Sequence, residues 1–170
     1  MICPCCGHVN LPGNEECVHC QQDLTPFDRP EASNCVEQSL MEDCVAALGP
    51  KSPITIRPGT QLQAAIQAML ACDIGTLLVT DDNGKLVGIL SERDLLTKVA
   101  GLSQDYGKLP VSHFMTPDPE AVGSDDKLNF ALQKMDAGSY RHLPVTADGV
   151  PLGVVSVRDM LRHIVKLCKV

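Results

Sequence analysis

Residues 88–94 read Gly-Ile-Leu-Ser-Glu-Arg-Asp and residues 153–159 read Gly-Val-Val-Ser-Val-Arg-Asp, one pattern written twice at an offset of 65. In each copy a glycine and two apolar residues suit the end of a strand. Ser followed three places on by an acidic residue marks a helix N-terminus. A strand therefore runs straight into a helix at Ser91 and again at Ser156. Upstream the correspondence continues at an offset of 66, pairing Pro53 with Pro119, Leu62 with Leu128, Ala65 with Ala131 and Met69 with Met135. The lost residue is assigned to the turn at Asn83, where Asp81-Asp82-Asn83-Gly84 stands against Ala147-Asp148-Gly149.

Apolar periodicity and turn signals give each copy the order β-α-β-β-α. Its parts are a short extended piece (Ile54 to Arg57; Glu120 to Val122), a helix (Gln61 to Cys72; Asp126 to Ala137), a hairpin (Thr76 to Leu90; His142 to Val155) and a second helix. The expected fold class is α+β, with two such repeats forming one pseudo-twofold module. Asn34 to Leu48 places Val36, Leu40, Met41, Cys44, Val45 and Leu48 close to a 3.6-residue period before Gly49-Pro50. That stretch predicts a single amphipathic linking helix.

From about residue 40 to residue 168 the chain resembles the tandem CBS-domain pair. The resemblance lies in PITIRPGTQLQAAIQAM and TLLVTDDNGKLVGILSERDLL in the first copy, and in LQKMDAGSYRHLPVTADG and LGVVSVRDML in the second. It implies clefts between the repeats for an adenosyl-type ligand such as AMP, ADP, ATP, a dinucleotide or S-adenosylmethionine. It implies a homodimer of flat modules and a regulatory role. It also implies that backbone edges of Ile54 and Thr55, or of Ala121 and Val122, read the adenine rim, and that a basic residue at Arg141 or His142 reaches phosphate.

The residues themselves are suited to that use. Ser91 with Asp94, and Ser156 with Asp159, place a hydroxyl, free N–H groups and a carboxylate on a first helical turn, where the macrodipole favours an anion. A fixed carboxylate can accept both ribose hydroxyls. The same residues also form a capping box that needs no ligand. The copies differ where Gly75-Thr76 aligns with Arg141-His142. The cleft combining Ser91 and Asp94 with Arg141 and His142 is therefore expected to hold a phosphorylated ligand better than the cleft of Ser156 and Asp159, which faces Gly75 and Thr76. Alternatively Arg141 is an ordinary surface residue and His142 a satisfied half-buried one. Leu62, Ile66, Met69, Leu128, Leu132 and Met135 supply either a dimer face or internal core.

At the other end, Cys3, Cys6, Cys17 and Cys20 follow C-x2-C-x10-C-x2-C. Each pair suits a knuckle in which two thiolates reach one ion, and Ile2, Val9, Leu11, Val18 and Leu24 are too few to form a core. The segment resembles a short zinc ribbon. Zinc is favoured over iron because residues 1–26 contain no aromatic residue to shield an iron site. Cys5, His8 and His19 lie close enough to be alternative ligands. Four protein ligands leave no open position, so the zinc is expected to be structural.

The chain has 170 residues, of which 44% are hydrophobic and 21% charged, the profile of a folded protein too short for a barrel enzyme of about 250 residues. Residues 1–52 hold eight Asp or Glu against two Lys or Arg, which argues against nucleic acid as a partner. No apolar run reaches the ~18 residues of a membrane span, and reduced or metal-bound cysteines suit a cytoplasmic protein with no membrane partner. The chain thus divides into a metal module (1–26), a linker and helix (27–50) and two repeats (51–108 and 109–170). The expected function is non-enzymatic sensing of an adenine nucleotide. The competing reading is a dimerisation or adaptor protein that binds no nucleotide and whose ribbon recruits a partner protein.

Overall fold

Each Gly-apolar-apolar-Ser stretch closes a hairpin and continues into a helix. The computed structural model describes residues 2–11, 14–24, 32–99 and 105–168, which divide into two units, Met1–Asn34 and Cys35–Val170. The linker expected around Pro26 and Pro30 lies outside the described residues.

In the larger unit α1 (Cys35–Glu42) comes first, then β1 (Thr55–Ile56), α2 (Leu62–Cys72), β2 (Thr76–Thr80), β3 (Leu86–Ser91) and α3 (Glu92–Lys98). After two 3-10 turns follow β4 (Thr116–Pro117), α4 (Leu128–Ala137), β5 (His142–Ala147), β6 (Val150–Ser156) and α5 (Val157–Leu167). One sheet has the order β1-β2-β3-β4, with β1 parallel to β2, and the other pairs β5 with β6. The second copy's extended piece is reduced to a parallel bridge between Val122 and Val145. The two hairpins turn at Gly84 and Gly149, both at positive φ, and both ladders shift register at the equivalent steps Val79/Thr80 and Val145/Thr146.

Each repeat has its own apolar core, and each core is completed by the segment leading into the other repeat. Leu62, Ala65, Met69, Leu77, Val79 and Leu90 of the first repeat pack with Val111 and Phe114. Leu128, Ala131, Met135, Leu143, Val145, Val155 and Met160 of the second pack with Val45. The sheets repeat this exchange. β4 pairs with Gly88 and Ile89 of β3, and Lys51 bridges Val154 of β6 through N–H···O bonds of 3.3 and 3.1 Å. The two lead-ins obey the same 66-residue offset, Val45 matching Val111 and Lys51 matching Pro117. Burying one such valine stabilises the fold by about 1.5–3 kcal/mol.

This exchange breaks the single helix expected over Asn34–Leu48. α1 ends at Glu42, and a 3-10 turn occupies Val45–Leu48. The reason is competition for backbone groups. Val45 N–H donates to Asp126 (2.8 Å), Ala46 N–H to Ser124 (2.9 Å), and the Asp43 carbonyl accepts Leu128 N–H (3.0 Å). Likewise α4 starts at Leu128 rather than at Asp126, whose carboxylate accepts the Gly123 N–H at 2.7 Å and closes a turn instead. Leu62, Met69, Leu128 and Met135 are buried in the chain's own cores, as the internal-core alternative expects.

In the smaller unit two knuckles repeat at an offset of 14. Cys3 N–H bonds His8 and Gly7 N–H bonds Cys3, while Cys17 N–H bonds Gln22 and Gln21 N–H bonds Cys17. Leu24 is fully buried against Cys3 and Cys17.

The exchange also explains the paired glycines. A Cβ built on Gly153 comes 2.6 Å from Pro50 Cβ and 3.1 Å from the Lys51 carbonyl oxygen, both rigid. A Cβ on Gly88 comes 2.5 Å from Met115 Sδ, which lies on a flexible side chain. Gly153→Ala is expected to destabilise by about 1–3 kcal/mol, Gly88→Ala by less, and Gly59→Ala, with open space around it, hardly at all. Chemical denaturation of the three variants checks that order, and equal losses at all three positions would contradict it.

Candidate ligand cleft and metal centre

The lead-in exchange holds the repeats together, and a cavity of about 910 Å3 lies between them. Ile66, Met69 and Leu70 of α2 face Leu132 and Met135 of α4 across it. Gly75, Tyr140 and Ser156 also line it, with the charged or titratable side chains of Asp73, Glu92, Asp136, Arg141, His142 and Arg158. Of the residues singled out from sequence, this cavity gathers Arg141, His142 and Ser156. Ile54, Thr55, Ser91, Asp94, Ala121, Val122 and Asp159 are not among its lining residues. Arg141 and His142 come to Ser156 through the β5–β6 ladder of their own repeat, where His142 pairs with Ser156 and the Arg141 carbonyl accepts the Val157 N–H. Burial holds His142 below its ordinary value of 6.5. Arg141 and Arg158 act in the same sense, and the Glu92 and Asp159 carboxylates oppose them.

Both serines cap their helices in full capping boxes. Asp94 accepts the Ser91 N–H (2.9 Å) and hydroxyl (2.5 Å) on one oxygen; Asp159 accepts the Ser156 N–H (2.9 Å) and hydroxyl (2.6 Å) likewise. Their other oxygens differ. That of Asp94 takes the Lys98 ammonium at 2.8 Å and the Thr116 hydroxyl at 3.2 Å, whereas that of Asp159 takes the exposed Arg162 guanidinium at 3.0 Å. Burial works against the charge on each carboxyl, but Lys98 and Ser91 for Asp94, and Ser156 for Asp159, hold both below the usual 3.8.

The backbone edges proposed for adenine are partly committed. The Ile54 carbonyl accepts the Leu78 N–H, the Ala121 carbonyl accepts the Lys134 ammonium, and Val122 uses both its N–H and its carbonyl on β5. Thr55 is exposed. Thr76, next to cavity-lining Gly75, is 8% exposed, and its hydroxyl has no hydrogen-bond partner among the described residues.

Sequence reasoning missed a contact that ties α1 to α5. The buried Ser39 hydroxyl donates to Asp43 at 2.5 Å and lies 2.7 Å from His163 Nε2, with Asp43 3.5 Å from that same nitrogen. Ser and Asp share one ring nitrogen, so this is a clamp and not a relay in which the acid orients the far side of the base. Its members lie 124 residues apart, beyond any local signal.

In the smaller unit the sulfurs of Cys3, Cys6, Cys17 and Cys20 all lie within 4.8 Å of one another. Cys3 to Cys20 is 3.6 Å and Cys6 to Cys17 is 3.7 Å, close to the roughly 3.8 Å edge of a tetrahedron of thiolates about 2.3 Å from one ion. The residues fit a tetrathiolate metal. Cys5, His8 and His19 fall outside this set; the two imidazoles stack on each other at 5.6 Å. Burial opposes ionisation of Cys17, yet the N–H groups of Cys20 and His19 and the Asn10 amide outweigh it and lower its thiol to about 6. Buried Asn10 joins the knuckles, its amide donating to Cys17 Sγ at 3.5 Å and to the His8 carbonyl at 3.1 Å while it accepts the Val18 N–H at 3.0 Å. Nothing in the cysteine spacing pointed to it.

The chain is matched twice by the family model described as CBS domain, over residues 45–101 and 111–166. The CBS domain-containing protein CBSCBSPB5 of Arabidopsis thaliana is 39% identical over 108 residues, which are 64% of this chain and 20% of that protein. The chain thus spans about a fifth of the length of the plant relatives it matches. The crystal structure of the CBS-domain protein ATU1752 from Agrobacterium tumefaciens aligns with a TM-score of 0.64 at 28% identity, over 71% of this chain and 95% of that one. The structure of CBSX2 in complex with AMP aligns with a TM-score of 0.64 at 25% identity, over 73% of this chain and 97% of that one. No helix among the described residues is long and apolar enough to cross a membrane.

Two outcomes follow from the site's chemistry. Cys3→Ser is expected to lose the bound metal and with it the ordered amide resonances of residues 2–24, while the melting of residues 35–168 stays unchanged; retention of a full equivalent of metal would contradict this. Because His142 is held below its ordinary value, the unfolded chain takes up a proton there first as the pH falls through about 6.5. Stability is therefore lost across that range and levels off below the folded-state value. His142→Gln should flatten the dependence of melting temperature on pH between about 7 and 5, and an unchanged slope would rule His142 out as its source.

Proposed function

The chain belongs to the CBS-domain family, and on that premise we propose that it is a regulatory protein that senses an adenine nucleotide between its two repeats and carries a structural zinc. The observation that carries this reading is the cavity of about 910 Å3, in which the apolar α2 and α4 side chains lie beside Arg141, His142 and Arg158. Its volume suits a nucleotide and its apolar walls suit a purine, and Arg141 and Arg158 offer phosphate contacts among the carboxylates of Asp73, Glu92 and Asp136 in the same lining. The complex of CBSX2 with AMP supports the same ligand class. Of the contacts we assign, Ser156 for ribose and Arg141 and His142 for phosphate line this cavity, whereas Ser91, Asp94 and Asp159 for ribose and phosphate and Ile54, Thr55, Ala121 and Val122 for the base are assigned from the family resemblance and lie outside its lining.

We read the role as binding rather than catalysis, because both candidate serine hydroxyls donate to the aspartates of their own helix caps. Residues 1–26 form the metal module in this reading, 27–50 the connection, and 51–108 and 109–170 the nucleotide-binding repeats, in a cytoplasmic protein. Zinc is assigned to Cys3, Cys6, Cys17 and Cys20. Leu96 and its repeat counterpart Leu161 are 73% and 55% exposed, and with Val165 they offer apolar side chains on the helices that suit a second copy. A protein partner for the metal module belongs to the same proposal.

Thermal melting with AMP, ADP and ATP tests the central point. A nucleotide at about 100 times its dissociation constant should stabilise residues 35–168 by roughly 2.7 kcal/mol per site, with sedimentation of the same sample giving a dimer. No shift with any adenine ligand, from dimeric protein, would favour the adaptor reading.

A further inference from the structure

The two knuckles of the smaller unit copy each other in backbone, but the residue that follows each has diverged. At the offset of 14, Cys3 matches Cys17, Cys6 matches Cys20, and the bridge of Ile2 with Val9 matches that of Glu16 with Asp23. One residue further on, Asn10 stands against Leu24, both buried, one an amide and the other an alkyl group. Inside the knuckles, Pro4 stands against Val18. The two differences belong together. Val18 has an N–H, and Asn10 Oδ1 accepts it at 3.0 Å. Proline has no N–H, so the first knuckle calls for no acceptor at the place of Leu24.

Once its oxygen is tied to Val18, the Asn10 amide has little freedom in where it aims its two N–H groups. Its nitrogen lies 3.1 Å from the His8 carbonyl oxygen and 3.5 Å from Cys17 Sγ. That same His8 oxygen accepts the Cys3 N–H at 2.9 Å and so closes the first knuckle. One side chain, 4% exposed, therefore joins the backbone of both knuckles and donates to a ligand sulfur. Leu24 packs on Cys3 and Cys17 and has nothing to donate.

We infer that Asn10 is the positioning residue of the metal centre and makes it asymmetric: its fixed N–H···S bond holds the Cys17 thiolate toward the ion, while the equivalent place in the other copy supplies packing alone. This rests on the metal reading above. Four thiolates on one divalent ion carry an excess of negative charge, and where the sulfurs are buried that charge is stabilised by donors aimed at them. The amide also fixes the distance between the knuckles, so that Cys17 is already in place when Cys3 and Cys6 take the ion.

The test is uptake of Co2+ by the full-length protein, followed by displacement with Zn2+ in competition with a chromophoric chelator. Asn10→Leu installs the residue of the other copy, Asn10→Asp keeps an acceptor for Val18 and removes both donors, and Leu24→Val loosens the packing alone. In both Asn10 variants the affinity for Zn2+ should fall about 10–100-fold, as expected for loss of a group that orients a ligand. Their sulfur-to-Co2+ charge-transfer band should move to longer wavelength, because a sulfur relieved of a donor gives up charge more readily. Leu24→Val should leave that band where the parent has it. No uptake by either Asn10 variant, with uptake kept in Leu24→Val, is the extreme of the same loss. Parent-like affinity and an unmoved band in either Asn10 variant, or equal losses in Leu24→Val, would overturn the inference while leaving the metal centre intact. A parent protein that takes up neither Co2+ nor Zn2+ would remove the metal reading itself.

Discussion

The structure depends on one exchange: each repeat's apolar core is closed by the chain segment that leads into the other. Val45 completes the core of α4, β5, β6 and α5, while Val111 and Phe114 complete that of α2, β2, β3 and α3. Neither repeat excised with its own lead-in would carry the residues that seal it, so the two fold as one body. The crossing points set the next constraint, because a lead-in strand can lie against β3 or β6 only where a side chain is missing. That is the position of Gly88 and of Gly153. The glycine that opens the repeated motif therefore belongs to packing, and the serine and aspartate that end it belong to the helix cap.

The cavity follows from the same arrangement. Two repeats held in register by their lead-ins place α2 opposite α4 and bring Gly75 and Glu92 of one to Arg141, His142 and Ser156 of the other. Its charges are unequal because the repeats have diverged at single positions, Gly75 against Arg141 and Glu92 against Val157. The asymmetry extends to the carboxylates. One serves the exchange through Lys98 and Thr116, and the other meets an exposed arginine.

Much of this was readable in the sequence because it is locally encoded. The order of elements came from caps, glycine turns and apolar spacing, and Ser91–Asp94 and Ser156–Asp159 form the helix starts their spacing predicts. The cysteine pairs converge because each knuckle is a short backbone turn, closed at Gly7 and at Gln21. What escaped was non-local. The break of the linking helix at Asp43 depends on backbone groups of residues 124–128, and the Ser39–His163 clamp spans most of the chain. Asp94 illustrates both levels. Its bond to Lys98 lies at helical i, i+4 spacing and could have been foreseen, whereas Thr116 arrives only because the lead-in crosses β3. Val45 and Val111 kept the repeat offset, but nothing in an apolar residue's position says which of two cores it enters.

Native mass spectrometry of the full-length protein with excess AMP tests the account most directly, because it counts chains, metal and nucleotide in a single species. One zinc and at least one AMP per chain are expected, with the zinc retained when AMP is omitted. A folded, zinc-loaded protein that carries no AMP at saturating concentration would contradict it.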